Sequence, residues 1–389
     1  MRGYEVIRCF EELAPLQLAE EWDNSGWQVG DPEETVRGII FTLDLTPRVL
    51  LQARQQGANL INSHHPLIFK PISRVLLDRF PGSLIHQLIE QRLMLYTAHT
   101  SLDNAPQGIS QALGNCLGLR VLRVLNGRPR RGLFKLVVFV PESHLMEVRE
   151  AICRAGAGWI GRYSDCTFRT SGIGTFRPLE GANPFLGKPG VLEEAAEYRL
   201  ETIVPQDRLE EVLQSMFHAH PYEEVAYDLY SLANRDLLSG PARIGVLPQK
   251  QTLGAMVETV SQSLRVSRIR LARPDADPAP LADKGGASPY PEAGSWAELP
   301  VERVAVCGGS GAEFIAAAAR EGAELLVTGD LKYHEAQEAR RLGLPVIAAG
   351  HAATEQPGLE AAAAWLGNRL GPALKITVNQ HLEDEIIVL

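Results

Sequence analysis

At 389 residues, 45% hydrophobic and 22% charged, the chain is long enough for two or three domains with real cores. A formal net charge of −9 disfavours broad, non-specific nucleic-acid binding and leaves only a local basic patch open. No apolar run reaches the length of a bilayer span, and Met1 to Cys9 lack the apolar core of a signal peptide, so no membrane partner is expected.

In chain order, residues 4–21 pattern as an amphipathic helix carrying Val6, Ile7, Phe10 and Leu13 on one face, broken or kinked at Pro15. A loop with two tryptophans follows, Glu21 to Trp27. Its Asp23 and Asn24 read first as turn and capping residues and second as the lining of a site. Val36 to Leu45 is a predicted strand, Pro47 to Gln56 a helix closed by Gly57, and Asn59 to Asn62 a strand. A helix over Ser83 to Gln91, a strand over Leu93 to Ala98 and a helix over Gln107 to Leu117 complete the stretch. Strands alternating with helices imply a covered parallel sheet.

The texture changes near Arg131. Phe134 to Val140 is a strand, Ser143 to Ala155 a helix, and Gly156 to Gly190 a Gly-rich stretch. Tyr198 to Val204, Gln206 to His218 and Val225 to Leu232 then read as strand, helix and strand. This order suggests a ferredoxin-like domain bounded by turn-rich flanks. The last third returns to α/β texture, with a strand over Ala242 to Leu247, a helix over Leu253 to Leu264 and a Pro/Gly/Ala/Ser-rich loop over Arg273 to Pro300. The expected organisation is therefore an α/β core domain over 1–130 and 238–389, interrupted by an α+β insert at 131–237.

Residues 36–69 align without gaps on 301–334, with Gly57-Ala58-Asn59-Leu60 over Gly322-Ala323-Glu324-Leu325. Tyr96-Thr97-Ala98-His99 parallels the stretch ending at His351. Each histidine is followed four residues later by an acid, Asp103 or Glu355. Two related βαβ-containing halves are expected to share one sheet, with equivalent strand ends close together at the edge where open α/β folds bind ligands.

His64 and His65 stand at one such end. A buried imidazole needs a partner for each ring nitrogen, so packing explains such a pair poorly. Successive strand residues point to opposite faces. The pair would serve one metal only if the backbone bent, as Pro66 allows, and could readily serve two. A plain surface pair is the alternative.

With Asp103, His351 and Glu355 the set of imidazoles and carboxylates suits zinc, manganese or iron, and two divalent metal ions per chain are expected. His64 and Asp103 are assigned to one ion and His65 and His351 to the other, with Glu355 bridging. His99 is an orienting group or an acid/base. The turn Gly308-Gly309-Ser310-Gly311 is a candidate for holding a substrate anion at a helix start, or only a tight turn. Asp330 and His334 either face the site or, for Asp330, cap the next helix. His218, His220, Glu223 and Glu224 look ligand-like, but Pro221-Tyr222 between them favours a turn. The five cysteines, Cys9, Cys116, Cys153, Cys166 and Cys307, form no C-x-x-C pair, which suggests reduced thiols and a cytoplasmic protein.

Trp22-Asp23-Asn24-Ser25-Gly26, Ser63-His64-His65-Pro66, His99-Thr100-Ser101-Leu102-Asp103, Cys307-Gly308-Gly309-Ser310-Gly311, Thr328-Gly329-Asp330 and Gly350-His351 with Glu355 together resemble the NGG-interacting-factor-three-like family of dinuclear-metal-centre proteins. Its members are often named GTP cyclohydrolase 1 type 2 homologues. The resemblance covers about 1–126 and 240–389. Gly181 to Gly187 and His220 to Tyr227 are similar to the PII-like and CutA-like insert of longer bacterial members. Trp27 stands where many members have Leu. The resemblance implies that the family's metal ligands fall on His64, His65, Asp103, His351 and Glu355, and that the protein forms a homohexameric ring. The reaction in the family's name would open the imidazole ring of GTP and release formate. A two-metal site also suits phosphate-ester hydrolysis of a nucleotide or related substrate. A metal-binding regulatory or scaffold protein, whose insert senses a ligand or binds a partner, is the reading from a different class.

Overall fold

Short apolar runs punctuated by turn residues dictate the architecture. The computed structural model describes residues 1–125, 132–160, 163–232, 239–273 and 296–380. The chain divides into one unit made of Met1–Arg128 with Leu237–Leu389, and a second made of Pro129–Asp236. Most of the expected loop at Arg273 to Pro300 lies outside the described residues.

The first unit begins with α1 (Gly3–Phe10), β1 (Gly26–Val29), β2 (Gly38–Thr42), α2 (Pro47–Gln56), β3 (Leu60–Ser63), α3 (Gly82–Glu90), β4 (Met94–Thr97), α4 (Thr100–Asn104), α5 (Ile109–Cys116) and β5 (Arg120–Val124). The second unit holds β6 (Leu133–Pro141), α6 (Leu145–Arg154), β7 (Thr167–Phe176), β8 (Glu193–Pro205), α7 (Leu209–Ala219) and β9 (Tyr227–Leu232). The chain then returns to the first unit with β10 (Ala242–Thr252), α8 (Leu253–Leu264), β11 (Arg270–Ala272), β12 (Pro300–Cys307), α9 (Ile315–Arg320), β13 (Leu325–Thr328), α10 (Tyr333–Arg341), β14 (Val346–Ala348), α11 (His351–Leu370) and β15 (Lys375–Val378).

The first unit contains two sheets, of order β1-β4-β3-β2-β15 and β11-β14-β13-β12-β10-β5. Strands β4, β3, β2 and β15 run parallel, as do β14, β13 and β12. Expectation and structure differ here, because the two sets of strands do not share a sheet. The free edge of β2 is taken by β15 and that of β12 by β10, so neither is left to pair with the other. Every residue of β2, β3, β4 and β13 is buried, as covered parallel strands require. Alternate residues feed different cores: Ile39, Phe41 and Leu60 face one, Ile40 and Ile61 the other.

Helices α5 and α11 link the sheets. Ile109 and Leu359 pack with the first sheet's core, while Leu113 and Ala353 pack with the second's. The helices approach closely because residue 358 is glycine. A Cβ there would lie 2.4 Å from Ile109 Cδ1.

The helix expected over 4–21 stops at Phe10, and a single 3₁₀ turn, Leu16–Leu18, follows Pro15. The Gly-rich stretch conceals the ten-residue strand β7, most of whose residues are exposed. Glycine and solvent exposure together erased the apolar alternation by which strands are read. In the second unit the sheet order is β7-β8-β6-β9, with every neighbouring pair antiparallel. Val148 and Ile152 of α6, with Val212 and Met216 of α7, pack on Leu136, Val138, Leu200 and Val204.

One buried side chain ties the end of α4 to the start of β10. Arg243 is 1% exposed. It donates to the carbonyls of Ala105 (2.7 Å) and Pro106 (3.3 Å) on one side, and to Gly240 and Ala242 (3.1 Å) on the other. It has no carboxylate partner among the described residues, and burial lowers its pKa to about 10. Replacing it with Met would leave these carbonyls short of a donor directly behind Asp103. We expect Arg243→Met to lose about 2–4 kcal/mol of stability in urea unfolding. An unchanged midpoint would show that water satisfies the carbonyls as well.

Candidate metal centre

The candidate residues come from strand ends. β3 ends at Ser63, and the next two amides still bond back, His64 N–H to Thr42 O and His65 N–H to Leu43 O, both at 2.9 Å. Beyond the strand the side chains no longer alternate. The rings of His64 and His65 converge, with centroids 5.0 Å apart, where strand geometry predicted opposite faces. β4 delivers His99, and α4 places Asp103 one turn further on. β14 delivers Gly350, and α11 opens on His351 with Glu355 on the same helical face, Nε2 to Oε1 3.1 Å.

Four imidazoles use Nδ1 in the same way. His64 Nδ1 lies 2.9 Å from Ala98 O, His65 Nδ1 2.9 Å from Asp44 Oδ1, His99 Nδ1 2.7 Å from Asp23 Oδ1 and His351 Nδ1 2.6 Å from Asp330 Oδ2. A carbonyl or an ionised carboxylate only accepts, so Nδ1 carries the proton and the Nε2 lone pair is left available when the ring is neutral.

Three Nε2 atoms point at one carboxylate. Glu355 Oε2 is 3.2 Å from His65, and Oε1 is 3.1 Å from His351 and 3.6 Å from His64. His64 Nε2 is also 3.5 Å from Asp103 Oδ1. His64 Nε2 and Glu355 Oε2 are buried with no hydrogen bond of normal geometry. Ligand atoms of His64, His65 and His99 lie within 4.8 Å of one another, as do those of His65, His351 and Glu355. The first group places His99 in the same space as His64 and His65.

Charge follows this geometry. Burial opposes ionisation of Glu355, but the surrounding imidazoles hold its carboxyl well below the usual carboxylate range. Burial opposes the His65 imidazolium, and hydrogen bonds to Asp44 and Glu355 overcome it, pushing its pKa up to about 10. Hydrogen bonds to Asp330 and Glu355 push His351 up to about 10. Burial raises the Asp103 carboxyl.

The Gly308–Gly311 turn lies against this cluster, and three of its four amides are already engaged. Gly308 N–H donates to Ser110 Oγ (3.1 Å), Gly309 N–H to Thr354 Oγ1 (3.0 Å) and Gly311 N–H to Thr328 Oγ1 (2.9 Å). Those three amides are therefore committed to side-chain oxygens within the protein; Ser310 is exposed. Glycine is required for another reason. Gly309 has φ +61°, and a Cβ there would lie 2.3 Å from Glu355 Oε1 and 3.1 Å from His351 Nε2. Asp330 anchors His351 and does not cap α10, whose N-cap is Lys332. His334 is exposed and bonds Gln337. Asp44 was missed by sequence reading, since a lone acid after a strand looks like any turn residue. Asp23, weighed there as a turn residue first, also takes Thr100 Oγ1–H (2.6 Å) and Ser25 Oγ–H (2.7 Å).

Comparison with known proteins adds a family. The family model described as Duf34/NIF3 (NGG1p interacting factor 3) matches residues 1–382. A Halalkalibacterium halodurans protein named GTP cyclohydrolase 1 type 2 homolog is 40% identical over 349 residues, 90% of this chain and 88% of that one. A Bacillus subtilis protein of the same name is 37% identical over 351 residues, with the same coverage of both chains. Among solved structures, a Bacillus cereus protein related to NIF3 superposes with a TM-score of 0.80 at 38% identity, covering 100% of this chain and 99% of that one.

The anchored cluster predicts a pH profile for chelator-treated protein. His65 and His351 have folded pKa values above their unfolded value of about 6.5. The stability they add is full below that value and is lost as pH rises through about 10. Glu355, with a depressed pKa, adds stability above its ordinary value of 4.5 that is lost as pH falls. The urea midpoint should therefore decline from pH 6.5 to pH 10, and Glu355→Gln should flatten most of the decline. A midpoint that climbs over that range would contradict the assigned protonation.

Proposed function

The chain belongs to the Duf34/NIF3 family, and on that premise we propose that it is a dinuclear divalent-metal-binding protein and a metal-dependent hydrolase of a nucleotide or other phosphate-containing substrate. One observation carries the reading: neutral-capable imidazoles, each anchored at Nδ1, aim Nε2 at a buried carboxylate that lacks normal hydrogen bonding on one oxygen. Such an arrangement is costly unless a cation completes it.

His64 with Asp103 would hold one ion, His65 with His351 the other, and Glu355 would stand between them. Zinc, manganese or iron(II) fits this donor set. Asp44, Asp330 and Ala98 O fix the ring orientations and raise ligand basicity. When bound, the ions supply Lewis-acid polarisation to the substrate. His99, held by Asp23, presents Nε2 to the same space and can take or return a proton there. The nucleotide class rests on the relatives' printed name.

We read the two sheets as related halves, supported by the matching parallel order β4-β3-β2 and β14-β13-β12. We read 131–237 as a ferredoxin-like, PII/CutA-like insert, supported by its β-α-β-β-α-β order and antiparallel sheet. Homo-oligomerisation, as a hexamer, would cover the exposed Ile72, Val75, Leu76, Leu77 and Phe80. No described helix is long and apolar enough to cross a membrane.

Elemental analysis of metal-reconstituted protein should find two divalent ions per chain, and Glu355→Ala should lose most of both. One ion kept at full occupancy in that variant would remove the bridge. Among GTP, other nucleotides and phosphodiesters, at least one should be turned over, and His65→Ala should abolish that turnover. A metal-loaded protein inert toward all of them would shift the reading to a regulatory or scaffold protein.

A further inference from the structure

Two large aromatic side chains beside the metal centre are left in water. Trp22 is 60% exposed and Phe69 is 45% exposed. Trp22 immediately precedes Asp23, whose carboxylate holds His99, but an indole N–H only donates and cannot bind a metal. Phe69 stands on the segment that leaves His65 and Pro66. The two rings meet at 63° with centroids 6.1 Å apart, and each also packs on His99, Trp22 at 6.1 Å and Phe69 at 6.4 Å. The His99 ring in turn lies 5.3 Å from that of His64 and 5.7 Å from that of His65. One imidazole thus separates the exposed pair from two candidate metal ligands.

Hydrogen bonds between the two loops set the spacing of these rings. Asn24 Nδ2 donates to Ile68 O (2.5 Å), Ile68 N–H donates to Gln28 Oε1 (3.1 Å), and Gln28 Nε2 donates to Asn24 O (2.7 Å). The loop that carries Trp22 is therefore tied to the residue next to Phe69. A ligand that used both rings would not have to order them first, which removes part of the entropic cost of binding.

Exposed indole and phenyl rings gain most from a flat π system laid against them, and such stacking tolerates any base. On their inner side the rings adjoin imidazoles and carboxylates, so an occupant needs one flat end and one polar end. A mononucleotide has both, whereas a net charge of −9 disfavours a longer nucleic-acid strand. We infer that Trp22 and Phe69, with His99 as the inner edge, form a stacking platform for the planar base of a mononucleotide whose phosphate lies toward the metal centre. The inference rests on the hydrolase reading above and narrows its substrates to phosphate esters that carry a heteroaromatic base.

The test uses full-length, metal-reconstituted protein with GMP, AMP and CMP as probes and ribose 5-phosphate as the base-free control, read by equilibrium dialysis. At least one nucleotide should bind roughly tenfold or more tighter than ribose 5-phosphate. Trp22→Ala, at an exposed position, should erase most of that difference while ribose 5-phosphate binding and metal content stay unchanged. Trp22→Phe, which keeps an aromatic face, should restore much of it, and Phe69→Ala should weaken nucleotide binding alone. Equal binding of nucleotides and ribose 5-phosphate, or the full difference surviving in Trp22→Ala, would overturn the platform. So would a changed oligomeric state in Trp22→Ala with the base preference intact, which would assign the rings to contact between copies of the chain. Turnover is scored separately. A protein that prefers the base but hydrolyses nothing would keep the platform and lose the hydrolase reading, and one that hydrolyses phosphodiesters with no base preference would do the reverse.

Discussion

A carboxylate that is 4% exposed has to find positive charge or donors, and meeting that need at Glu355 shapes the surrounding structure. Three imidazoles turn Nε2 toward it. Each is held in that pose by an acceptor on a different piece of chain: Ala98 O after β4, Asp44 after β2, and Asp330 after β13. The backbone must then come close on the remaining side, which explains glycine at position 309. Gly329 serves the same end, since a Cβ there would lie 2.7 Å from both Gly309 O and the His351 Cα. The strand ends are thus positioned for electrostatics, and the cores behind them supply rigidity.

Rigidity comes from α5 and α11, which carry apolar side chains into the cores of both sheets. Because Glu355 sits in the first turns of α11, its position is inherited from packing further along the helix, where Leu359, Ala362 and Leu366 are buried. Asp103 inherits its position from α4, whose far end is fastened by Arg243. Packing at a distance therefore fixes polar geometry at the centre, which suits a site that must not collapse on its own charge.

Much of the fold was legible where local chemistry agrees with tertiary packing. Thr46, Pro47 and Gly57 bracket α2, and Thr252 opens α8, because caps and φ-restricted residues act locally. The grouping of His64, His65, Asp103, His351 and Glu355 was legible because a repeated His-x-x-x-acid spacing is a helical pattern independent of the rest of the fold. Three features were not legible. Whether two βαβ units share a sheet depends on which strand covers each edge, and β15 arrives more than 300 residues after its neighbour β2. The convergence of His64 and His65 depends on the backbone leaving strand geometry just after Ser63, one residue past the expected strand end at Asn62. One acceptor behind the rings, Asp44, is a single acid in a loop, and nothing in its flanks sets it apart from a solvated aspartate.

The pairing of β15 with β2 also bears on synthesis. β2 spans Gly38–Thr42 and β15 spans Lys375–Val378, so the first sheet keeps an open edge until Val378 has left the ribosome. At ~5–20 residues per second, that wait is on the order of tens of seconds. Throughout it, Ile39, Ile40 and Phe41 lie on an unprotected strand with the features that favour misassociation. The second unit, whose strands lie within a single stretch of chain, can close its sheet while the first is still waiting. A nascent chain with a finished domain in its middle and an unfinished sheet at its start is the kind of client that chaperones hold, and translation speed becomes part of what determines the yield of native protein.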